Sequence, residues 1–278
     1  MTTAVLITGT SSGIGRATAQ LLVRRRDLTV YATARRLQSL RELTAAGART
    51  LALDVTDDES MRAAVTQVEA EHGAVGALVN NAGYGEYGTI EETDMDAVRR
   101  QFETNVFGLA RMIQLVLPGM RAAGGGRVVN VGSMGGRLVF PAGGYYHATK
   151  YAVEALSDAL RFEVAPFGVR VSLIEPGLIR TGFEDTAAGT LAGSTVQTGP
   201  YTRLTASVHQ SMAASYQSAA VSTTPDVVAR SIEHAITSAH PRARYVVTPA
   251  AKALVHTRRL LGARVFDAYL RRSFGPSA

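Results

Sequence analysis

Short apolar runs alternate with helical repeats along the whole chain, and no other feature limits the possible folds as tightly. The runs are Ala4 to Ile7, Leu28 to Thr33, Arg49 to Leu53, Ala77 to Val79, Arg127 to Gly132, Val169 to Ile174 and Tyr245 to Thr248. Continuous apolar runs of this length suit strands covered on both faces, whereas a half-exposed strand alternates apolar with polar residues. Parallel neighbours also need a crossover between them, usually a helix. The expected architecture is α/β: a doubly wound parallel sheet of about seven strands flanked by helices.

The first run leads into Thr8-Gly9-Thr10-Ser11-Ser12-Gly13-Ile14-Gly15, after which Ala17, Ala19, Leu21 and Leu22 mark a helix. A glycine-rich turn from strand into helix leaves backbone N–H groups unpaired at the positive end of the helix dipole, a place for a pyrophosphate. The spacing Gly-x-x-x-Gly-x-Gly differs by one residue from the common Gly-x-Gly-x-x-Gly fingerprint. Glycines here can also serve tight packing alone, but their place at the first strand favours a ligand. The second run ends in Ala34-Arg35-Arg36, where dinucleotide folds that hold a ribose 2′-hydroxyl carry an acid. Arg35 and Arg36 can instead pair with a 2′-phosphate, which predicts NADP(H) in preference to NADH. Asp54-Val55 closes the third run and Asn80-Asn81-Ala82-Gly83 the fourth. Thr56 to Glu59 reads as a capping box for the next helix.

Tyr146 and Lys150 stand four residues apart in a helical pattern, one above the other on the same face. A phenol with an ordinary pKa of about 10 is a poor acid or base near neutrality. An ammonium one turn away is expected to pull that pKa down and fit the phenol for proton exchange with an alcohol or carbonyl oxygen. Ser133, at the end of the fifth run, can hold that oxygen. Any helix can carry Tyr-x-x-x-Lys, but this chain has only two lysines, Lys150 and Lys252, among its 29 basic residues. Asn105 lies within a long helix opened by Thr93-Asp94-Met95-Asp96; a buried Asn there needs partners, as a structural tie or as part of a site.

Composition excludes several chemistries. With no cysteine there are no disulfides, thiolate nucleophiles or cysteine-held metals. The six histidines have no metal-ligand spacing and read as ordinary positions. The N-terminus enters a strand without a basic leader, and no apolar run approaches the ~20 residues of a membrane span, so a cytoplasmic location is expected. The net charge of +6 is uneven: residues 241–278 hold eight Lys or Arg and one acid, leaving the remainder at −1. The charge therefore describes a tail and does not indicate nucleic acid. That tail, residues 251–278, reads as a basic amphipathic helix that either packs on its own domain or lies on a membrane surface. From 178 to 222 the chain turns small and polar, which predicts a long loop over a substrate. Its few large residues, Leu178, Ile179, Phe183, Leu191 and Leu204, point to an apolar molecule.

Taken together, these residues resemble the short-chain dehydrogenase/reductases in their single-domain form. Thr8-Gly9-x-x-x-Gly13-Ile14-Gly15, Asn80 to Gly83, Asn105, Ser133, Tyr146-x-x-x-Lys150 and Pro176-Gly177 stand in that family's order over roughly residues 3–250. The unusual glycine spacing is the family's own. The segment Ala32 to Arg36 is most similar to the hydroxysteroid and retinol dehydrogenase branch. The resemblance implies a single Rossmann-like domain over 1–250, binding cofactor and substrate, and assembly into a dimer or tetramer. It implies that Tyr146 is the general acid/base, Lys150 the partner that holds the nicotinamide ribose, Ser133 the group that orients the substrate and Asn105 the holder of a relay water. Gly9, Ser11, Ser12, Gly13, Ile14, Gly15, Asp54, Val55, Asn81, Ala82 and Gly83 would line the cofactor, with Pro176, Gly177, Ile179 and Thr181 at its nicotinamide end. The implied reaction interconverts a small-molecule carbonyl and an alcohol. A catalytically silent regulator of the same fold would lack part of this set, and a nucleotide-sugar epimerase would have a larger C-terminal region.

Overall fold

The computed structural model describes residues 2–196 and 198–274 of the 278. The strands are β1 (Thr3–Ile7), β2 (Leu28–Ala34), β3 (Arg49–Ala52), β4 (Ala77–Asn80), β5 (Gly126–Val131), β6 (Val169–Glu175), β7 (Leu178–Ile179), β8 (Ser222–Thr223) and β9 (Arg244–Val246). The helices are α1 (Gly13–Leu22), α2 (Arg41–Ala45), α3 (Asp58–His72), α4 (Met95–Phe102), α5 (Leu109–Ala122), α6 (Gly144–Glu163), α7 (Phe183–Ser194), α8 (Thr202–Gln217), α9 (Pro225–Thr237) and α10 (Pro249–Phe274). Seven strands form one parallel sheet in the order β3-β2-β1-β4-β5-β6-β9, with β7 and β8 paired separately. This is the expected doubly wound architecture.

The central strands are apolar because each feeds two cores. Leu6, Leu78, Val128 and Leu173 face a layer built with Met61, Val65, Met112, Val116 and Val153. Their neighbours Val5, Ile7, Val79, Val129 and Ile174 face the opposite layer, with Leu22, Val228, Ile232 and Ile236. Alternate side chains of a strand point to opposite faces, so burial on both sides removes the polar alternation. The chain winds outward from β1 through β2 to β3, then returns to place β4 on the other side of β1, in register Val5↔Ala77 to Ile7↔Val79. Diverging connections on either side of β1 and β4 open a crevice at the carboxyl ends of the strands, where ligands of such sheets bind.

Three local expectations need correction. The cap of α3 is Asp57, whose side chain accepts from the N–H groups of Glu59 and Ser60, and not Thr56. Asp54 takes Thr56 instead, accepting from its hydroxyl at 2.8 Å and ending β3 in a local turn. Residues 178–222 are not a loop: they form α7 and α8 between the short strands β7 and β8. The buried stripes of these helices are Ala187 and Leu191 on α7 and Thr205 and Val208 on α8. Small and hydroxylated residues carry half of each stripe, so the helical period is faint in hydrophobicity. The last strand is also shorter than its apolar run, ending at Val246 where Pro249 starts α10.

Candidate active site

The β1–α1 turn closes over the crevice because only glycine fits it. Gly9 has φ +71° and Gly13 φ +56°, in the left-handed region that other residues rarely enter. A Cβ on Gly9 would lie 2.8 Å from the Ala82 Cα, so the turn and the end of β4 are in direct contact. Asn81 fixes that contact: its Nδ2 donates to the carbonyls of Thr8 and Gly9, each at 2.9 Å. The Thr8 hydroxyl oxygen in turn accepts from the N–H groups of Asn81 and Ala82 at 3.0 Å. Ser12 caps α1 with backbone only, and no acid stands in the first turn. The first-turn N–H groups therefore keep their capacity for an anion. These features fit a dinucleotide pyrophosphate.

One cavity of about 860 Å³ runs from this turn to α6. Gly9, Ser11, Ser12, Gly13, Ile14, Arg35, Asp54, Val55, Asn81, Ala82, Gly83, Pro176, Gly177, Ile179 and Thr181 all line it, together with Ser133, Tyr146 and Lys150. Gly15, Arg36 and Asn105 stand outside its wall. Gly15 is a packing residue, since a Cβ there would strike the Gly9 carbonyl oxygen. Arg36 points its backbone into the next turn, where its carbonyl accepts from the Ser39 hydroxyl at 2.6 Å. Asn105 sits in a π-helical turn, Glu103–Gly108, that joins α4 to α5. Its Oδ1 accepts from Tyr84 N–H at 3.1 Å, and its Nδ2 donates to Tyr84 O and Thr149 Oγ1 at 2.8 and 3.1 Å. The side chain is thus a structural tie between the β4 loop and α6. Insertions of this kind in helices cluster at functional sites.

Ser133 ends β5 with extended backbone, and its Oγ accepts from Gly135 N–H at 3.0 Å. Beside it, Tyr146 lies buried against Tyr87, Phe183 and His147 with ring centroids 5.7, 5.3 and 5.6 Å away. Burial pushes the Tyr146 phenol up to about 12, and the nearby Ser133 hydroxyl offsets only part of that rise. This differs from the expected lowering. The Lys150 ammonium lies 5.9 Å from the phenol's ring centroid and donates to Val131 O at 3.0 Å. Its own burial pulls it down to about 8. Desolvation of both groups outweighs their mutual electrostatic support.

His147 belongs to the site although its sequence position gave no sign of it. Phe140 N–H can only donate, so Nε2 accepts that bond at 3.1 Å, and Nδ1 carries the proton given to Gly135 O at 3.0 Å. This neutral bridge pins the turn that carries Ser133 to the loop before α6. Burial pulls the imidazole down to about 4. The folded state therefore refuses a proton that the unfolded chain accepts below about 6.5, and stability falls as pH drops from there toward 4. In His147→Gln the fall over that window is expected to be shallower, as read by urea midpoints at successive pH values. A slope equal to that of the wild type would assign the acid sensitivity to other groups.

Comparison with known proteins agrees with this arrangement. Residues 3–190 match the family model described as short chain dehydrogenase. The chain is 42% identical over 181 residues to the 3-ketodihydrosphingosine reductase of Bacteroides thetaiotaomicron, an alignment that covers 65% of each protein. It is 35% identical over 273 residues to the oxidoreductase YbbO of Escherichia coli, covering 98% of this chain and 95% of that protein. A crystal structure of a short chain dehydrogenase/reductase from Burkholderia phymatum in complex with NAD aligns with TM-score 0.79 at 26% identity, covering 100% of this chain and 98% of that one. The chain belongs to the short-chain dehydrogenase/reductase family of oxidoreductases.

Proposed function

We propose that the protein interconverts a carbonyl and an alcohol on an apolar small molecule, with NADP(H) as the preferred cofactor and Tyr146 as the proton carrier. The observation that supports this most is the placing of Ser133, Tyr146 and Lys150 on the wall of the same cavity as the glycine turn. Bound in that cavity, a nicotinamide dinucleotide supplies or accepts the hydride. Ser11 to Ile14 and the α1 N-terminus would hold its phosphates, and Asn81 to Gly83 with Pro176, Gly177, Ile179 and Thr181 would flank the rest. Ser133 has its hydroxyl proton to offer the substrate oxygen while its Oγ accepts from Gly135 N–H. Tyr146, protonated at neutral pH, gives its proton to the carbonyl oxygen in reduction and must lose it before oxidation. Beyond Tyr146 the wall is formed by Tyr87, Phe183, Met212, Tyr216 and Leu254, which suits an apolar body attached to the carbonyl. No observation favours a silent regulator.

The sign of the pH dependence follows from Tyr146. Alcohol oxidation should rise about tenfold per pH unit between about pH 6 and 9, because it needs the phenolate, while carbonyl reduction should stay level and then decline. Initial rates in both directions measure this. Oxidation that is flat with pH would remove Tyr146 from the proton-transfer role.

Arg35 is exposed at the end of β2 and lines the cavity, and no carboxylate stands beside it at that strand end. Arg35→Ala should weaken NADPH binding by roughly 10- to 100-fold and leave NADH within a few-fold, since a charge-assisted pair to phosphate contributes about 1.5–3 kcal/mol. Titration by cofactor fluorescence reads both constants. An unchanged NADPH/NADH ratio would reject the preference.

A further inference from the structure

We propose that the elbow of α10 is a docking surface for an anionic lipid bilayer. Gly262 breaks the helix with φ 74° and ψ −174°, a conformation open to glycine, and turns the chain back on itself. The inner side of this elbow packs on the active-site loop. Val255 and Phe266 join Leu138 in a small core with Phe140, Leu254 and Leu270, and Phe140 lies 6.0 and 6.4 Å from Phe266 and Phe274, centroid to centroid. The outer side is apolar and exposed. Leu260, Leu261 and Val265, at the turn itself, are 78%, 57% and 46% exposed.

Charge identifies the partner. The helix carries six cations, Lys252, Arg258, Arg259, Arg264, Arg271 and Arg272, against one carboxylate, Asp267. Several arginines of the body are matched, Arg16 with Glu42, Arg62 and Arg111 with Asp58, and Arg99 with Asp96. Among the described residues none of the six α10 cations has an ion-pair partner. Exposed leucines flanked in the chain by cations without ion-pair partners fit a surface that is apolar below and anionic above, which is the headgroup boundary of a bilayer. A second copy of this chain would bring the same unbalanced positive charge to the contact. Leu254, Tyr269 and Phe274 of the same helix line the catalytic cavity, so the docked elbow places the cavity mouth beside the lipid. On the reading of the preceding section, an apolar carbonyl substrate would enter there from the bilayer.

Sedimentation with vesicles of phosphatidylcholine alone, and of phosphatidylcholine mixed with phosphatidylglycerol, tests the proposal. Wild-type protein should bind the mixed vesicles and leave them as salt is raised, because exposed charge attraction is screened within about 8–10 Å. Each cation near an anionic surface contributes roughly fivefold, so Arg259→Gln with Arg264→Gln should lower partitioning roughly 20-fold or more. Leu260→Ser with Leu261→Ser should lower it roughly tenfold or more. Neither pair lines the cavity, and soluble carbonyl reduction in both variants should match the wild type. Wild-type protein that stays in the supernatant with both vesicles at low salt, or binds both equally, overturns the proposal. A fall in sedimentation mass caused by the leucine pair would also overturn it, giving the surface to a second copy. Vesicle binding needs no turnover, so this result stands apart from that of the activity assays.

Discussion

Replacing Tyr146 with phenylalanine is expected to lower kcat for carbonyl reduction by roughly 10²–10⁴-fold, the usual contribution of a positioned acid or base. The ring stays in place, because its packing against Tyr87 and Phe183 does not use the hydroxyl. What is lost is the phenolic hydroxyl and its proton. Cofactor binding should survive, since the glycine turn, Asn81 and the α1 N-terminus are untouched. Steady-state rates on a carbonyl shown to turn over with the wild type, beside a fluorescence titration of cofactor, separate the two effects. A variant within a few-fold of wild-type kcat would show that the proton comes from elsewhere.

Replacing Arg244 with methionine is expected to cost about 3–5 kcal/mol of stability, the range for a buried ion pair that loses one partner. Arg244 Nη1 reaches Glu154 and, at 2.7 Å, Glu175, while Nη2 reaches Asp158 at 2.6 Å. Glu175 is wholly buried, and its other oxygen has only Arg137 at 3.4 Å. Burial pushes Glu154 up to about 7 even with the guanidinium beside it. Without Arg244 these carboxylates face each other between the end of β6 and the middle of α6, next to Pro176 and one turn beyond Lys150. Whole domains are stable by only about 5–15 kcal/mol, so unfolding in urea should shift by a large fraction of the total. Arg244→Lys should recover part of the loss, since one ammonium cannot span three carboxylates as the planar fork does. A shift below about 1 kcal/mol for the methionine variant would mean the carboxylates are accommodated by proton uptake or solvent.

The parts of this structure legible in the sequence are those set by local pattern. The buried central strands announce themselves as apolar runs because both faces of the sheet are covered. The glycine turn, Asn81 to Gly83, Ser133 and Tyr146-x-x-x-Lys150 could be placed at strand ends and on one helix face by spacing alone. What stayed hidden depends on contacts between distant segments. His147 looks like any helix residue until Phe140 and Gly135 fold against its two nitrogens. Arg244 is one of many arginines until β9 brings it to Glu154 and Glu175, 90 and 69 residues earlier in the chain. Helices α7 and α8 were obscured because their buried stripes use alanine and threonine. The direction of the Tyr146 shift is hidden for the same reason: spacing shows that an ammonium is near, and says nothing of how completely the fold removes water from both groups.

On the proposed function, hydride and proton meet at one substrate carbon and oxygen in the cavity beside Tyr146. Single-turnover reduction with NADPH carrying deuterium at the reactive nicotinamide carbon, across ketosteroids, retinal, β-ketoacyl thioesters and 3-ketosphingoid bases, tests this most directly, with mass spectrometry of the product. The prediction is an alcohol with one deuterium on its carbinol carbon from the wild type and none above background from Tyr146→Phe. Cofactor that binds tightly in the wild type yet gives no labelled alcohol from any of these carbonyls would contradict it.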